Sequence, residues 1–553
     1  MPFPLPAVRA AIVAVLLVPA LVTAQALDFT FTDITPEGTA AVEQVGVHPF
    51  DGEKLVVVHG NGIRLTSDGG ATWTSPTHPP ASLIQVERLF VHKGRPGVVF
   101  LQEGGQSVSG EAPKGGATYR SGDFGNSWTL IYGPLTASLP LRMVSPFASD
   151  PIDPERIYAT SRSPFTCFRG CVFITPPLDN QILASTDGGL TWYDAAVGSL
   201  PRGSDGTQSA EGPVPAAPSR LFLTSGQAYF SNDSGRVWQA LPWERPDNLT
   251  WVRQDPYRPS VLFAQAYLPN NAALGDYTNV GKSRLFRSDD AGASWSPILD
   301  INDRSQWSGY KPTLTFDHVT WNLWLSGIEA GLLLSTDDGR TWANLGFPAG
   351  TGPTITGALD PTTRVRAVVP STTEPGRVYV VWKGRLYAGY APALRRDPVA
   401  VEFRAKDRYW ISANHGETVS QDYRGYEALR TELRFGLWSR ADAPQGAMGV
   451  CRFQGNPAHG QNSRFITLKG AECGALRGDP GWILEGEDEA FAVPAGPGGQ
   501  CAAGTVAVTR FVNGLRNANH RYVVDAAVAK TMRASGWIEE GVAFCARPLG
   551  SNE

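Results

Sequence analysis

One eight-residue pattern recurs six times in the chain: Ser or Thr, any residue, Asp, any residue, Gly, two residues, then Trp. The copies centre on Asp68 and Trp73, Asp123 and Trp128, Asp187 and Trp192, Asp233 and Trp238, Asp290 and Trp295, and Asp337 and Trp342. Successive Trp residues stand 55, 64, 46, 57 and 47 positions apart, room for one four-stranded sheet per interval. A short strand-like run precedes most copies, as in Gly62 to Leu65 and Gly331 to Leu334, so each copy reads as a hairpin turn. In such a turn Asp accepts hydrogen bonds from backbone N–H groups, and the Ser or Thr hydroxyl serves the same turn. Gly supplies a positive φ. Trp opens the next strand and is expected to pack between neighbouring sheets, removing roughly 150–250 Å² from water.

Each copy has a partner strand upstream: Lys54 to Val58, Gly97 to Leu101, Arg156 to Thr160, Leu221 to Thr224, Val261 to Gln265 and Trp321 to Ser326. A further unit, Arg377 to Trp382 and then Arg385 to Ala388, lacks the pattern and reads as a seventh sheet short of its outer strand. Leu27 to Thr32 is a lone strand with nothing before it. Pairing it into the seventh sheet closes a ring and removes the open edges that invite aggregation. Rings of six or eight also satisfy the pattern.

The six turns resemble the Asp-box (BNR) repeat of sialidases, sortilin-type receptor domains, photosystem II assembly factors and xyloglucan-hydrolysing propellers, over about residues 28 to 392. The resemblance implies a seven-bladed β-propeller whose boxes lie on the periphery, away from a central funnel. It makes the six box Asp residues scaffold. A sialidase would also bring an Arg cluster, a Tyr–Glu nucleophile pair, an acidic Asp and a Phe-Arg-Ile-Pro-like motif. The chain has no Arg-Ile-Pro and reads His59-Gly60-Asn61-Gly62-Ile63-Arg64-Leu65 in that region, where the lone Arg64 reads as an exposed strand residue. A glycosidase needs two carboxylates roughly 5–10 Å apart. Candidates outside the boxes are Asp150, Asp153, Asp255, Asp317 and Asp360. All but Asp317 precede Pro, which marks a turn initiator.

The N-terminus reads as a signal peptide over residues 1–26. Arg9 is the positive region, Ala10 to Val22 the apolar run, and Ala24-Gln25-Ala26 the cleavage site. No Cys follows, so no lipid anchor is expected, and no later run is long enough to span a bilayer. Six Cys in an exported chain read as disulfides: Cys167 with Cys171, and three possible pairings among Cys451, Cys473, Cys501 and Cys545. The Cys spacings are not those of a zinc site, and neither metal nor cofactor is expected. The net charge of -4 argues against nucleic acid as a partner.

Residues 27–394 are assigned to the propeller and 395–553 to a second module with three units. These align on Arg408-Tyr409-Trp410-Ile411, Arg464-Phe465-Ile466-Thr467 and Arg521-Tyr522-Val523-Val524, 56 and 57 residues apart. Ala526 to Ala534 reads as a helix. The expectation is a pseudo-threefold, β-rich module with short helices, trefoil-like in plan. It resembles a module of unassigned function that ends many exported bacterial proteins. There are no HExxH, Walker-type or GxSxG motifs.

The expected function is an exported, monomeric, non-catalytic binding or scaffold protein, secreted or periplasmic, that offers a propeller face to a glycan, peptide or protein. The segments Ser161 to Asn180 and Pro269 to Gly281 would decorate that face. The alternative is a glycoside hydrolase with two carboxylates facing across the funnel.

Overall fold

The computed structural model describes residues 29–549 apart from 61, 81–82, 84–85, 107–113, 134–142, 163–180, 197–208, 226, 246, 269–281, 303–311, 329–330, 346–364, 393, 395–396, 407, 426, 462 and 515–518. The signal-peptide reading, the Cys167–Cys171 loop, Asp360, residues 163–180 of the first insertion and all of the second lie outside the described residues.

The protein is all-β, and its first part is a β-propeller. Seven antiparallel sheets follow one another along the chain. Their innermost strands are Val42–His48, Val86–Val91, Met143–Ser149, Ser209–Glu211, Asn248–Gln254, Thr313–Phe316 and Val365–Pro370. The second strand of each sheet carries an apolar run of three or more residues because both of its faces are covered by neighbouring sheets. Leu55, Val56, Val57 and Val58 are fully buried, as are Val378, Tyr379, Val380 and Val381. Each such side chain contributes roughly 1.5–3 kcal/mol of burial free energy. The clusters straddle adjacent sheets. Val45, Val47, Leu55 and Val57 of the first pack on Tyr379, Val381 and Leu386 of the seventh, so the row of sheets is a ring.

Closure is made by Thr30–Asp33, the outer strand of the seventh sheet. It pairs with Arg385–Tyr390 in the register Thr30↔Tyr390 to Asp33↔Tyr387. The Leu386 N–H donates to the Thr35 hydroxyl at 2.9 Å, and Arg385 forms an ion pair with Asp33. The chain needs glycine at 389 because the partner strand lies so close. A Cβ there would stand 2.4 Å from the Phe31 ring.

The C-terminal part contains three units of the same plan: two strands, a helix, and a third strand that returns beside the first. The sheets are built from Val399–Ala405, Arg408–Ser412 and Leu429–Gly436, then from Met448–Gly455, Arg464–Leu468 and Trp482–Ala492, and last from Val506–Val512, His520–Val523 and Ile538–Ala546. Their helices are His415–Asp422, Ala471–Gly478 and Ala526–Ala534. Each three-stranded sheet is accompanied by one short helix, as expected of a β-rich threefold module with short helices. One core serves all three units, with Phe435, Ile466, Val508, Phe511, Tyr522 and Phe544 in contact. Disulfides join Cys451 to Cys473 and Cys501 to Cys545. Among the described residues no helix is long and apolar enough to cross a membrane.

Replacing Gly389 with Ala should lower the urea midpoint of unfolding by an amount worth about 1–3 kcal/mol, because the added carbon must push Phe31 off the closing strand. Equilibrium unfolding of the variant beside the parent chain checks this.

Candidate functional site

Five of the acidic turns join the third and fourth strands of their sheets, and the first follows the third strand of the three-stranded first sheet and closes on the Leu65–Thr74 bridge, all at the outer rim. The structure does not bring them together. Each is a local device with the same backbone wiring, and only the fourth, with Val237, lacks the second hydroxyl. In the third, the Ser185 hydroxyl donates to Asp187 Oδ1 at 2.7 Å and accepts from the Gly189 N–H at 2.8 Å. Asp187 also accepts from the Thr191 N–H at 2.9 Å and the Thr191 hydroxyl at 2.6 Å. The glycine is required because φ at 189 is +87°. The Trp side chains pack against the cores between sheets, Trp128 on one, Trp238 on another and Trp342 on a third. Four indoles donate to the glycine carbonyl of their own turn: Trp128, Trp238, Trp295 and Trp342.

A second repeat, invisible as one motif, stands where six of the seven inner strands turn into their neighbours. Asp150 accepts from the N–H groups of Ile152 and Asp153 at 2.8 and 3.1 Å. Asp255 does the same for Tyr257 and Arg258, and Asp317 for Val319 and Thr320. His92 and Ser371 take that place in the second and seventh sheets, and His48 in the first. The sequence candidates Asp150, Asp255 and Asp317 are thus occupied as turn caps. Burial pushes the carboxyls of Asp150 and Asp317 above the usual range against the pull of these hydrogen bonds. Asp153 accepts from the Glu155 N–H at 3.1 Å, and Arg64 bonds the Ile63 carbonyl within its strand.

These turns form one face of the ring, and the C-terminal module closes it. Tyr423, just past the helix His415–Asp422, places its hydroxyl 3.2 Å from Lys93 Nζ of the second sheet. Its ring lies edge-on to His318 of the sixth at 5.6 Å. A side chain that touches the second and sixth sheets at once stands on the axis. A Cβ at Gly94 would lie 2.1 Å from the Tyr423 carbonyl oxygen, and the Gly425 N–H donates to the Pro151 carbonyl at 2.8 Å. Arg424 covers the Phe50 ring, and Arg430 covers Tyr257 while pairing with Asp422. Beside the plug lies a cleft of about 290 Å³ between ring and module, where Trp321 stacks on Tyr257 at 5.5 Å.

The opposite face is where the inner strands begin. Four of them start with a bulge at the same place, at Glu43, Glu87, Thr250 and Arg366. An extra residue there turns a side chain out of the strand's alternation. Glu43 and Glu87 therefore occupy equivalent positions on neighbouring sheets. Gln44 Nε2 donates to the Glu87 carbonyl at 3.4 Å, and Glu87 packs against Gly104. Glu43 has a buried Oε2 with no hydrogen-bond partner among the described residues. The sequence offered no marker for either, because a bulge leaves no residue signature.

No family model matches the chain. Over 265 residues it is 26% identical to a xyloglucanase of Paenibacillus sp, covering 46% of this chain and 21% of that protein. Over 268 residues it is 25% identical to a xyloglucanase of Hypocrea jecorina, covering 42% of this chain and 29% of that one. The chain thus spans less than a third of either relative. The GH74 xyloglucanase from Xanthomonas campestris superposes with a TM-score of 0.44 at 17% identity, over 68% of this chain and 57% of the other. YCF48 bound to D1 peptide superposes at 0.38 and 15% identity, over 66% of this chain and 96% of the other. The expectation of a non-catalytic binding protein is corrected by the sequence relatives, both of which are enzymes.

Two outcomes follow from the acidic turns. Ser185→Ala should cost about 1–3 kcal/mol in equilibrium unfolding, because it strands the buried Gly189 N–H. The hydroxyls of Thr72 and Ser294 lead the hydrogen bonds that hold Asp68 and Asp290 down to about 2. The folded chain then binds fewer protons than the unfolded one. Their stabilisation is complete above about pH 4 and is lost as the pH falls through 2. Unfolding midpoints taken from pH 5 to pH 2 should drop across that window, and less steeply in Thr72→Val.

Proposed function

We propose that the chain is an exported glycoside hydrolase acting on a xyloglucan-like polysaccharide at the face where the inner strands begin. The observation that carries this reading is the sequence similarity to two xyloglucanases. The ring supplies a suitable frame: Glu43 and Glu87 stand at matching bulges on adjacent strands, a pair of carboxylates at one mouth. Cleavage of a glycosidic bond needs one group to protonate the leaving oxygen and a second to activate water or attack the sugar. Glu43, with a buried oxygen awaiting a donor, is placed to hold a substrate hydroxyl or pass on a proton. Glu87, exposed beside it, is placed to act on water. The acidic turns are scaffold in this reading, as in the Asp-box repeat they resemble. Export is supported by the leader-like N-terminus and by two disulfides.

The test is release of reducing ends from xyloglucan by the purified full chain. Glu43→Gln and Glu87→Gln should each reduce the rate about 10²–10⁴-fold with unchanged unfolding midpoints. Lys530→Gln, on an exposed helix face, should keep the parent rate. A parent chain inert on xyloglucan and related glucans would defeat the hydrolase reading. Full activity in both Gln variants would remove this pair from it.

A further inference from the structure

The turn after the sixth inner strand puts a bulky side chain where its backbone favours none. In five of these turns the capping residue donates its N–H to a carbonyl near the head of the second strand: His92 to Val98, Asp150 to Arg156, Asp255 to Val261, Asp317 to Asn322 and Ser371 to Arg377. The residue just before that acceptor has a positive φ in three of them, +90° at Gly97, +81° at Gly376 and +62° at Trp321. Glycine takes this conformation without strain. A tryptophan does not, and such strain persists where the surroundings hold the side chain in a set place.

That place is the cleft of about 290 Å³ between ring and module, which the half-buried Trp321 lines. Tyr257 of the fifth sheet stacks on the indole at 5.5 Å and lines the same cleft, so one wall is aromatic and fixed. Two exposed polar groups share the cleft with it: Asp289, at a variable position of the fifth acidic turn, and Arg434 of the module. Asp289 accepts from Arg287 through Oδ1 alone, at 3.0 and 2.6 Å, and its Oδ2 has no partner among the described residues. The Arg434 guanidinium makes no hydrogen bond or ion pair among the described residues. Arg258 is answered by Asp255 and Asp338. The cleft thus offers an aromatic wall, one acceptor oxygen and one set of donors. A neutral ligand with an apolar face and several hydroxyls, a sugar ring, matches all three.

We propose that this cleft is a glycan-binding site that takes a pyranose ring of a neutral polysaccharide against Trp321, with its hydroxyls shared between Asp289 Oδ2 and Arg434. The site holds a chain and cuts nothing. It sits among the turns on the module side of the ring, whereas Glu43 and Glu87 stand where the inner strands begin. The choice of a xyloglucan-like ligand rests on the hydrolase reading, and the cleft itself does not.

Isothermal titration of the full chain with xyloglucan oligosaccharides tests it, in a Glu87→Gln background so that no ligand is consumed. If the hydrolase reading holds, two sites should be seen, and one after Trp321→Gly is added. If that reading fails, one site should be seen, and none after Trp321→Gly. Asp289→Asn and Arg434→Gln, both at exposed positions, should each weaken the affected site about tenfold with unchanged unfolding midpoints. A tryptophan kept only for packing would instead give a lower midpoint in Trp321→Gly and leave the number of sites as it was. That result, full affinity in both polar variants, or no heat at all in the Glu87→Gln chain would overturn the proposal.

Discussion

The pairing of Thr30–Asp33 with Arg385–Tyr390 is the contact on which the ring depends. It joins residues more than 350 positions apart, so it ties the start of the chain to the last sheet of the ring. Without it the seventh sheet would present an open outer edge along Arg385–Tyr390. Loop closure over so long a span is entropically costly but grows only slowly with length. The local hydroxyl–carboxylate turns secure six of the seven sheets independently of closure, and the closing strand has only four residues.

The ring is not symmetric between its two faces, and that asymmetry organises everything functional. On one face the inner strands end in capped turns that hold their carboxylates and imidazoles in local hydrogen bonds. That face is rigid and flat enough for the three-unit module to sit on, with Gly94 and Gly416 giving way to its backbone and to Thr373. On the other face the strands begin with bulges, and these release Glu43, Glu87, Thr250 and Arg366 from the regular alternation. Rigidity where the module docks and exposed polar side chains where substrate would arrive come from the same seven strands read in opposite directions.

Much of the architecture was written plainly in the sequence. The Trp spacing marks the sheets, because each sheet must end in a turn of the same chemistry. The lone leading strand marks the closure, because an unpaired edge needs a partner. Asp525 before an Ala-rich run marks the last helix, where its side chain caps the N–H groups of Ala527 and Val528. The helix His415–Asp422 gave no such signal. Its residues are largely polar, and it is buried by docking on the ring rather than by an apolar stripe of its own. The Asp150 and Asp255 turns were legible from the Pro that follows each, but the equivalent turns at His48, His92 and Ser371 were not, because Asp, His and Ser all do that job. The pairing among Cys451, Cys473, Cys501 and Cys545 could not be read from spacing, since it follows from which strand and helix each unit sets side by side. Tyr423 is an ordinary residue in sequence, and only the fold puts it on the axis.

That tyrosine gives the molecule a one-way street for traffic. With the far end shut, whatever enters the bore leaves by the door it used. A long polymer cannot be threaded through and must instead lie across the rim, dipping at most a branch or a terminus inside. The depth of the cul-de-sac, rather than its width alone, then decides which side groups a visiting chain can lodge.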